Sequence, residues 1–135
     1  MDKNDFIMEL ISWLEKNFEQ PLSLEIVAKK AGYSKWHLQR TFKQATGYSM
    51  GDYIRKRRLT KAAIALRTTS RSISDIAFQY AFNSQQTFTR SFKKQFFVSP
   101  AKYRRAKNWN MSGMRLPIRM DELIHMTCPS SDINK

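Results

Sequence analysis

The chain has 135 residues, enough for one small domain or two very small ones sharing an interface, and its 41% hydrophobic content supplies a core, which excludes a disordered segment. Its single cysteine, Cys128, excludes an internal disulfide, and two scattered histidines, His37 and His125, give no metal-ligand spacing, so no metal, cofactor or catalytic centre is expected. The formal net charge of +13 is uneven: residues 1–25 carry six acids against two bases, whereas residues 26–107 carry nineteen bases against only Asp52 and Asp75, a field suited to a polyanion such as nucleic acid.

Phe6, Ile7, Leu10, Ile11, Leu14 and Phe18 recur at helical spacing and predict an amphipathic first helix that Pro21 ends. A short helix follows from about Ser23 to Lys30, and then AGYS, a turn in which Gly32 is free to take positive φ. Ser34 reads as the N-cap of the next helix, whose inward stripe is Leu38 and Phe42. Trp36 lies two residues from Leu38, roughly 200° around the axis, so both cannot face one core. The face that carries Trp36 continues through Gln39, Arg40 and Lys43.

Gly47 stops that helix, Ser49 and Asp52 can box the next start, and a long helix is predicted from about Met50 to Arg67. Its apolar residues change face: Tyr53 and Ile54 fit one stripe, Leu59, Ala62, Ala63 and Leu66 another, as in a helix bridging two small cores. Ser72 and Asp75 can box a second short helix. Ser84 can cap the helix after it, with Phe88 and Phe92 inward and Gln86, Thr89, Arg90 and Lys93 outward, Gln85 beside them. Ser99-Pro100 opens a last short helix to about Lys107, and beyond Asn108 the periodicity fails. Phe96, Phe97 and Tyr103 are core by default, and His37 is expected to make a backbone-side contact or none.

Between Ala31 and Arg55, a shift of 50 residues pairs eight identical residues: Ala31 with Ala81, Ser34 with Ser84, Arg40 with Arg90, Phe42 with Phe92, Lys43 with Lys93, Ser49 with Ser99, Tyr53 with Tyr103 and Arg55 with Arg105. Just upstream, Val27-Ala28 pairs with Ile76-Ala77 at a shift of 49. The unit of short helix, tight turn and second helix is therefore used twice. The predicted fold is all-α with about seven helices. Two helix-turn-helix subdomains, 1–48 and 69–108, are joined by a linking helix, 49–68, and followed by a tail, 109–135, expected to be packed by Trp109 or Met114 or to be disordered.

Exposed faces of Trp, Gln and Arg, and of Gln, Thr and Arg, suit the floor of a DNA major groove. Arginine spans guanine O6 and N7, glutamine pairs with adenine N6 and N7, and an aromatic or threonine methyl packs on thymine. Helix termini and basic side chains hold phosphates in such units, which assigns Ser34, Lys35, Lys43, Arg55, Arg57, Arg58, Lys61, Ser84, Thr87, Lys93, Lys94, Tyr103, Arg104 and Arg105 to the DNA backbone. A linking helix of about 18 residues is roughly 27 Å long, so the two faces can reach successive major grooves about 34 Å apart, with DNA bending making up any shortfall.

The segments AGYSKWHLQRTFK, IRKRRLTKAAIALR, SQQTFTRSFKKQF and SPAKYRR resemble the AraC/XylS family of bacterial transcription activators, most of all its MarA/SoxS/Rob branch, over about residues 4 to 108. The resemblance implies two helix-turn-helix subdomains joined by a long helix, bound as a monomer to an asymmetric, degenerate site of about 20 base pairs. It implies base reading by Trp36, Gln39 and Arg40 and by Gln85, Gln86, Thr89 and Arg90. It also implies recruitment of RNA polymerase to stress and multidrug-resistance promoters.

The tail departs from the smallest relatives and is similar to the start of the segment that in Rob leads into an effector domain. It stops before such a domain, so no small-molecule effector is expected. The alternative function is a promoter-occupying architectural or repressor protein that does not recruit polymerase. An enzyme acting on nucleic acid would need a carboxylate cluster or an activated nucleophile, and Asp52 and Asp75 both stand at helix starts. No apolar run approaches the roughly 20 residues of a spanning helix, and the N-terminus MDKNDF begins with charges, which predicts a cytoplasmic protein with no membrane partner.

Overall fold

A computed structural model describes residues 3–123 and, among them, places seven α-helices and no strand. Cys128 and His125 lie outside the described residues. The helices are α1 (Lys3–Lys16), α2 (Leu24–Ala31), α3 (Lys35–Thr46), α4 (Met50–Thr68), α5 (Ile73–Gln79), α6 (Gln85–Phe96) and α7 (Pro100–Arg105), followed by one 3₁₀ turn, Met120–Glu122.

Local chemistry sets most of these boundaries. Ser23, Ser34, Ser72, Ser84 and Ser99 each stand in extended backbone before a helix and accept a hydrogen bond from an amide three residues on. Ser49 does the same for Asp52 at the start of α4. Gly32 and Gly47 take left-handed φ of 77° and 81° after α2 and α3, a backbone conformation that costs glycine nothing and that other residues adopt only with strain. In the second copy the left-handed residues are Ala81, φ 67°, and Phe97, φ 68°. The copies thus keep one backbone path with different residues on it.

The chain divides into two compact units, and α4 supplies residues to both. In the first, built from 3–16, 22–53 and 117–123, the core comprises Ile7, Leu10, Ile11 and Leu14 of α1, Val27 and Ala28 of α2, Leu38, Phe42 and Ala45 of α3, with Met50, Tyr53, Ile118 and Leu123. The second takes 17–21 and 54–116. Leu59, Ala62, Ala63 and Leu66 of α4 pack there against Ile76, Ala77, Phe88, Phe92, Phe96 and Tyr103. Its aromatic rings form a chain: Phe88 to Phe92 at 5.7 Å, Phe92 stacked on Phe96 at 4.5 Å, and Tyr103 edge-on to both.

Two expectations are corrected. The first helix, expected to carry Phe18 and to run up to Pro21, ends at Lys16, with a turn closed by Gln20 N donating to Asn17 O (2.9 Å), and buried Phe18 belongs to the second unit. Phe97 is not core: the left-handed turn after α6 swings its ring outward, 81% exposed.

The segment 109–116 is ordered, because side chains of the second unit grip its backbone. Gln95 Nε2 donates to Gly113 O (2.8 Å), Arg115 N to Thr60 Oγ1 (2.8 Å), and Tyr103 Oη to Asn110 O (2.8 Å). Trp109 and Met114 pack on the core. The first unit holds 117–123 in a parallel way, with Ile118 N donating to Tyr53 Oη (3.2 Å). The two tyrosines paired by the repeat thus each fix part of the chain that follows α7.

Candidate nucleic-acid interface

On α3 the buried residues are Leu38, Thr41, Phe42, Ala45 and Thr46, which leaves the opposite face to solvent. Trp36 is 64% exposed there, and its ring carries the Arg40 guanidinium carbon 5.1 Å from its centroid. Trp36, Gln39, Arg40, Lys43 and Gln44 line one shallow, open groove. Gln44 is an addition to the residues expected. It stands eight residues after Trp36, hence on the same stripe, and that spacing could have identified it.

On α6 the buried residues are Phe88, Phe92 and Phe96, and the second open groove is lined by Gln85, Gln86, Thr89, Arg90, Lys93 and Lys94. Each helix therefore gathers its own candidate base readers into one surface. Neither helix has an acid in its first turn, so the positive end of the helix dipole is not offset there, and both have lysine in the last turn. Lys35 approaches Glu25 at 3.7 Å, with both side chains exposed, a weak pair.

His37 lies edge-on to Tyr33 at 4.5 Å, and Tyr33 stacks on Phe6, so the imidazole supports the turn before α3. Ser34 and Ser84 use their hydroxyls as caps, accepting from His37 N (3.2 Å) and Thr87 N (3.1 Å). The Ser84 hydroxyl also donates to Thr87 Oγ1 (3.0 Å).

Four residues assigned to phosphates from sequence are committed elsewhere. Arg57 is 5% exposed, lies over the Phe18 ring and donates to Arg115 O (2.7 Å). Arg58 directs its fork at Phe18 O (3.0 Å) and Gln20 O (2.6 Å), closing the turn after α1, and its burial lowers the guanidinium pKa. Arg104 donates to Leu66 O (2.9 Å), Thr69 O (3.4 Å) and Arg71 O (2.6 Å), satisfying carbonyls of the last turn of α4 and of the loop after it. Arg67, which sequence did not single out, makes the reciprocal bonds from α4 to Tyr103 O, Arg104 O and Ala106 O. Tyr103 is buried, and its hydroxyl donates to Asn110 O while accepting from Trp109 Nε1 (2.9 Å).

The rest of the assigned set stays at the surface. Lys35, Lys43, Arg55, Thr87, Lys93, Lys94 and Arg105 are exposed, as is Ser34, whereas Lys61 and Ser84 are half-buried. Among the described residues no group of three or more His, Cys, Asp or Glu could hold a metal, and no helix is long and apolar enough to cross a membrane.

A family described as a helix-turn-helix domain matches residues 27–106. The chain is 60% identical over 122 residues to the transcriptional regulator Rob of Salmonella typhimurium, covering 90% of this chain but 42% of that one. It therefore spans less than half the length of Rob. It is 51% identical over 104 residues to the regulatory protein SoxS of Escherichia coli, covering 77% of this chain and 97% of SoxS. Among solved structures, the DNA-binding domain of AdpA, a global transcriptional factor in complex with a target DNA, superposes with a TM-score of 0.70 at 26% identity, over 73% of this chain and 88% of that one. Two copies of one cap-and-stripe unit, joined by α4 and matched in this way, place the molecule: the chain belongs to the AraC/XylS family of helix-turn-helix regulators, in the branch that contains SoxS and Rob.

Proposed function

We propose that this protein is a sequence-specific, DNA-binding transcription activator that reads DNA with both of its polar helix faces. The observation that carries this is the duplicated surface. α3 and α6 bury the same stripe, carry arginine and lysine at the same two positions, and turn base-reading side chain types to solvent. Trp36, Gln39 and Arg40 are the base readers of the first copy and Gln85, Gln86, Thr89 and Arg90 those of the second. Lys35, Lys43, Arg55, Lys61, Lys93, Lys94 and Arg105, with the amino ends of both helices, neutralise phosphates.

In this function one chain occupies an asymmetric, degenerate site of about 20 base pairs as a monomer, since the duplication supplies both reading heads that a dimer otherwise brings. Its nineteen-residue α4 is about 28 Å long, and any mismatch with the groove spacing is met by bending the duplex, at a cost of about 1–6 kcal/mol. Recruitment of RNA polymerase at stress and multidrug-resistance promoters is the activity that branch membership favours.

The test is selection of bound sequences from a randomised duplex of about 30 base pairs at near-physiological salt, where phosphate attraction alone is weak. Two short, unlike blocks about one helical turn apart support the monomer with two reading heads. A palindrome, or no enrichment, rejects it. A promoter fusion carrying the selected site then separates activation from mere occupancy: expression rises with the protein if it recruits polymerase and falls or stays level if it only occupies the site.

A further inference from the structure

The two reading heads hold their shared arginine differently. In α3 the guanidinium of Arg40 lies against the indole of Trp36, one turn earlier on the same exposed face, 5.1 Å from the ring centroid. Core packing does not impose this contact, because Trp36 is 64% exposed and Arg40 is exposed too. In α6 the position of Trp36 is taken by Gln86 and that of Arg40 by Arg90, so the second arginine has no ring one turn before it. A planar guanidinium stacks on an aromatic face, and a side chain already held in one orientation loses less conformational freedom when it meets a base.

The geometry points to Trp36 as a positioning residue for Arg40: its indole is the platform that sets the guanidinium plane before DNA arrives. The inference rests on base reading by Arg40. Beside its own contact with a base, Trp36 then contributes to affinity through the arginine. The second head, with glutamine in place of the platform, leaves Arg90 to be ordered by the DNA itself.

A two-residue cycle in the full chain tests this, using Trp36→Leu, Arg40→Ala and the double variant. The probes are a 30-base-pair duplex carrying the selected motif and the same duplex with the block under α3 changed. With Arg40 present, Trp36→Leu is expected to weaken the selected duplex about tenfold. With alanine at 40 the same change costs less than about threefold, and Trp36→Phe restores most of the loss. Equal losses in both backgrounds, with sequence preference still dependent on Arg40, overturn the platform role alone. If Arg40→Ala weakens the selected and altered duplexes equally, base reading fails and the positioning role with it.

Nuclear magnetic resonance of the free protein gives a readout without DNA. The Arg40 side-chain protons are expected upfield of those of Arg90 through the Trp36 ring current, and Trp36→Leu is expected to remove the offset. No offset in the wild type overturns the inference. Because both side chains are exposed, far-UV circular dichroism of each variant is expected to match the wild type.

Discussion

Gly113→Ala tests whether the segment after α7 is built into the second unit. A Cβ at this position would lie 2.5 Å from Phe96 Cδ1, 2.9 Å from Phe96 Cε1 and 2.7 Å from Gln95 O, whereas carbon atoms pack at about 3.5–4.0 Å. Neither neighbour can yield easily. The Phe96 ring is stacked on Phe92 and edge-on to Tyr103, and Gln95 O is backbone of the last turn of α6. The segment must therefore lift, which weakens the bonds from Gln95 Nε2 to Gly113 O and from Arg115 N to Thr60 Oγ1, each 2.8 Å. Overpacking costs about 1–3 kcal/mol, and losing two hydrogen bonds costs about as much, so these are two routes to one figure and are not added. Chemical denaturation should show a loss of about 1–3 kcal/mol and heating a Tm lower by about 4–12 °C. Hydrogen exchange at the Arg115 amide should accelerate by more than the global loss accounts for. DNA affinity measured well below Tm should stay within about twofold, because the face of α6 is untouched. Unchanged stability with a protected Arg115 amide would refute the packing described.

Phe97→Gly is expected to stabilise the protein by about 0.5–1 kcal/mol. Relief of the left-handed residue, about 1–2 kcal/mol, outweighs the extra freedom glycine brings to the unfolded chain, and the exposed ring forfeits little burial. Denaturant titration checks the sign. Arg104→Gln is expected to cost about 1–3 kcal/mol of stability while leaving the salt dependence of DNA binding unchanged, because its guanidinium serves carbonyls of the last turn of α4 and of the loop after it. Lys61→Ala should instead weaken all sequences alike and lower the salt slope by about one. Burial raises the Tyr103 pKa above its ordinary 10, partly offset by the Trp109 hydrogen bond and the Arg67 charge. The neutral phenol is thus favoured in the fold: its stabilisation is intact below pH 10 and is lost as pH climbs through 10 towards the folded value. Tyr103→Phe should make the alkaline fall in stability shallower, read by denaturation between pH 8 and 11.

What was legible in the sequence is what local chemistry and repetition write. Serine caps, inward stripes such as Leu38 with Phe42 and Phe88 with Phe92, and the outward Trp36 follow from spacing along one helix. The 50-residue shift carried that information from one half to the other. Side chains whose partners lie 33 to 40 residues away were not legible. An arginine run looks alike whether its forks meet phosphate or, as with Arg58 and Arg104, backbone carbonyls. Phe18 continues the stripe of α1 in register, but the helix stops two residues earlier, at Lys16. The aromatic type of Phe97 points to a core, but its position is the counterpart of Gly47, and the left-handed backbone there turns the ring into solvent. The segment after Asn108 shows no periodicity because it is anchored by single hydrogen bonds with the side chains of Gln95, Thr60, Tyr103 and Tyr53 and by separate apolar residues such as Trp109, Met114 and Ile118, which follow no helical spacing.

The most direct test of the account is to repeat the sequence selection with Arg40→Ala and with Arg90→Ala beside the wild type. If α3 and α6 are separate reading heads on one chain, each variant flattens one block of the motif, a different block for each, and leaves the other intact. If both variants flatten the same block, or neither changes base preference while overall affinity falls, the two faces do not read bases independently and the central claim is wrong.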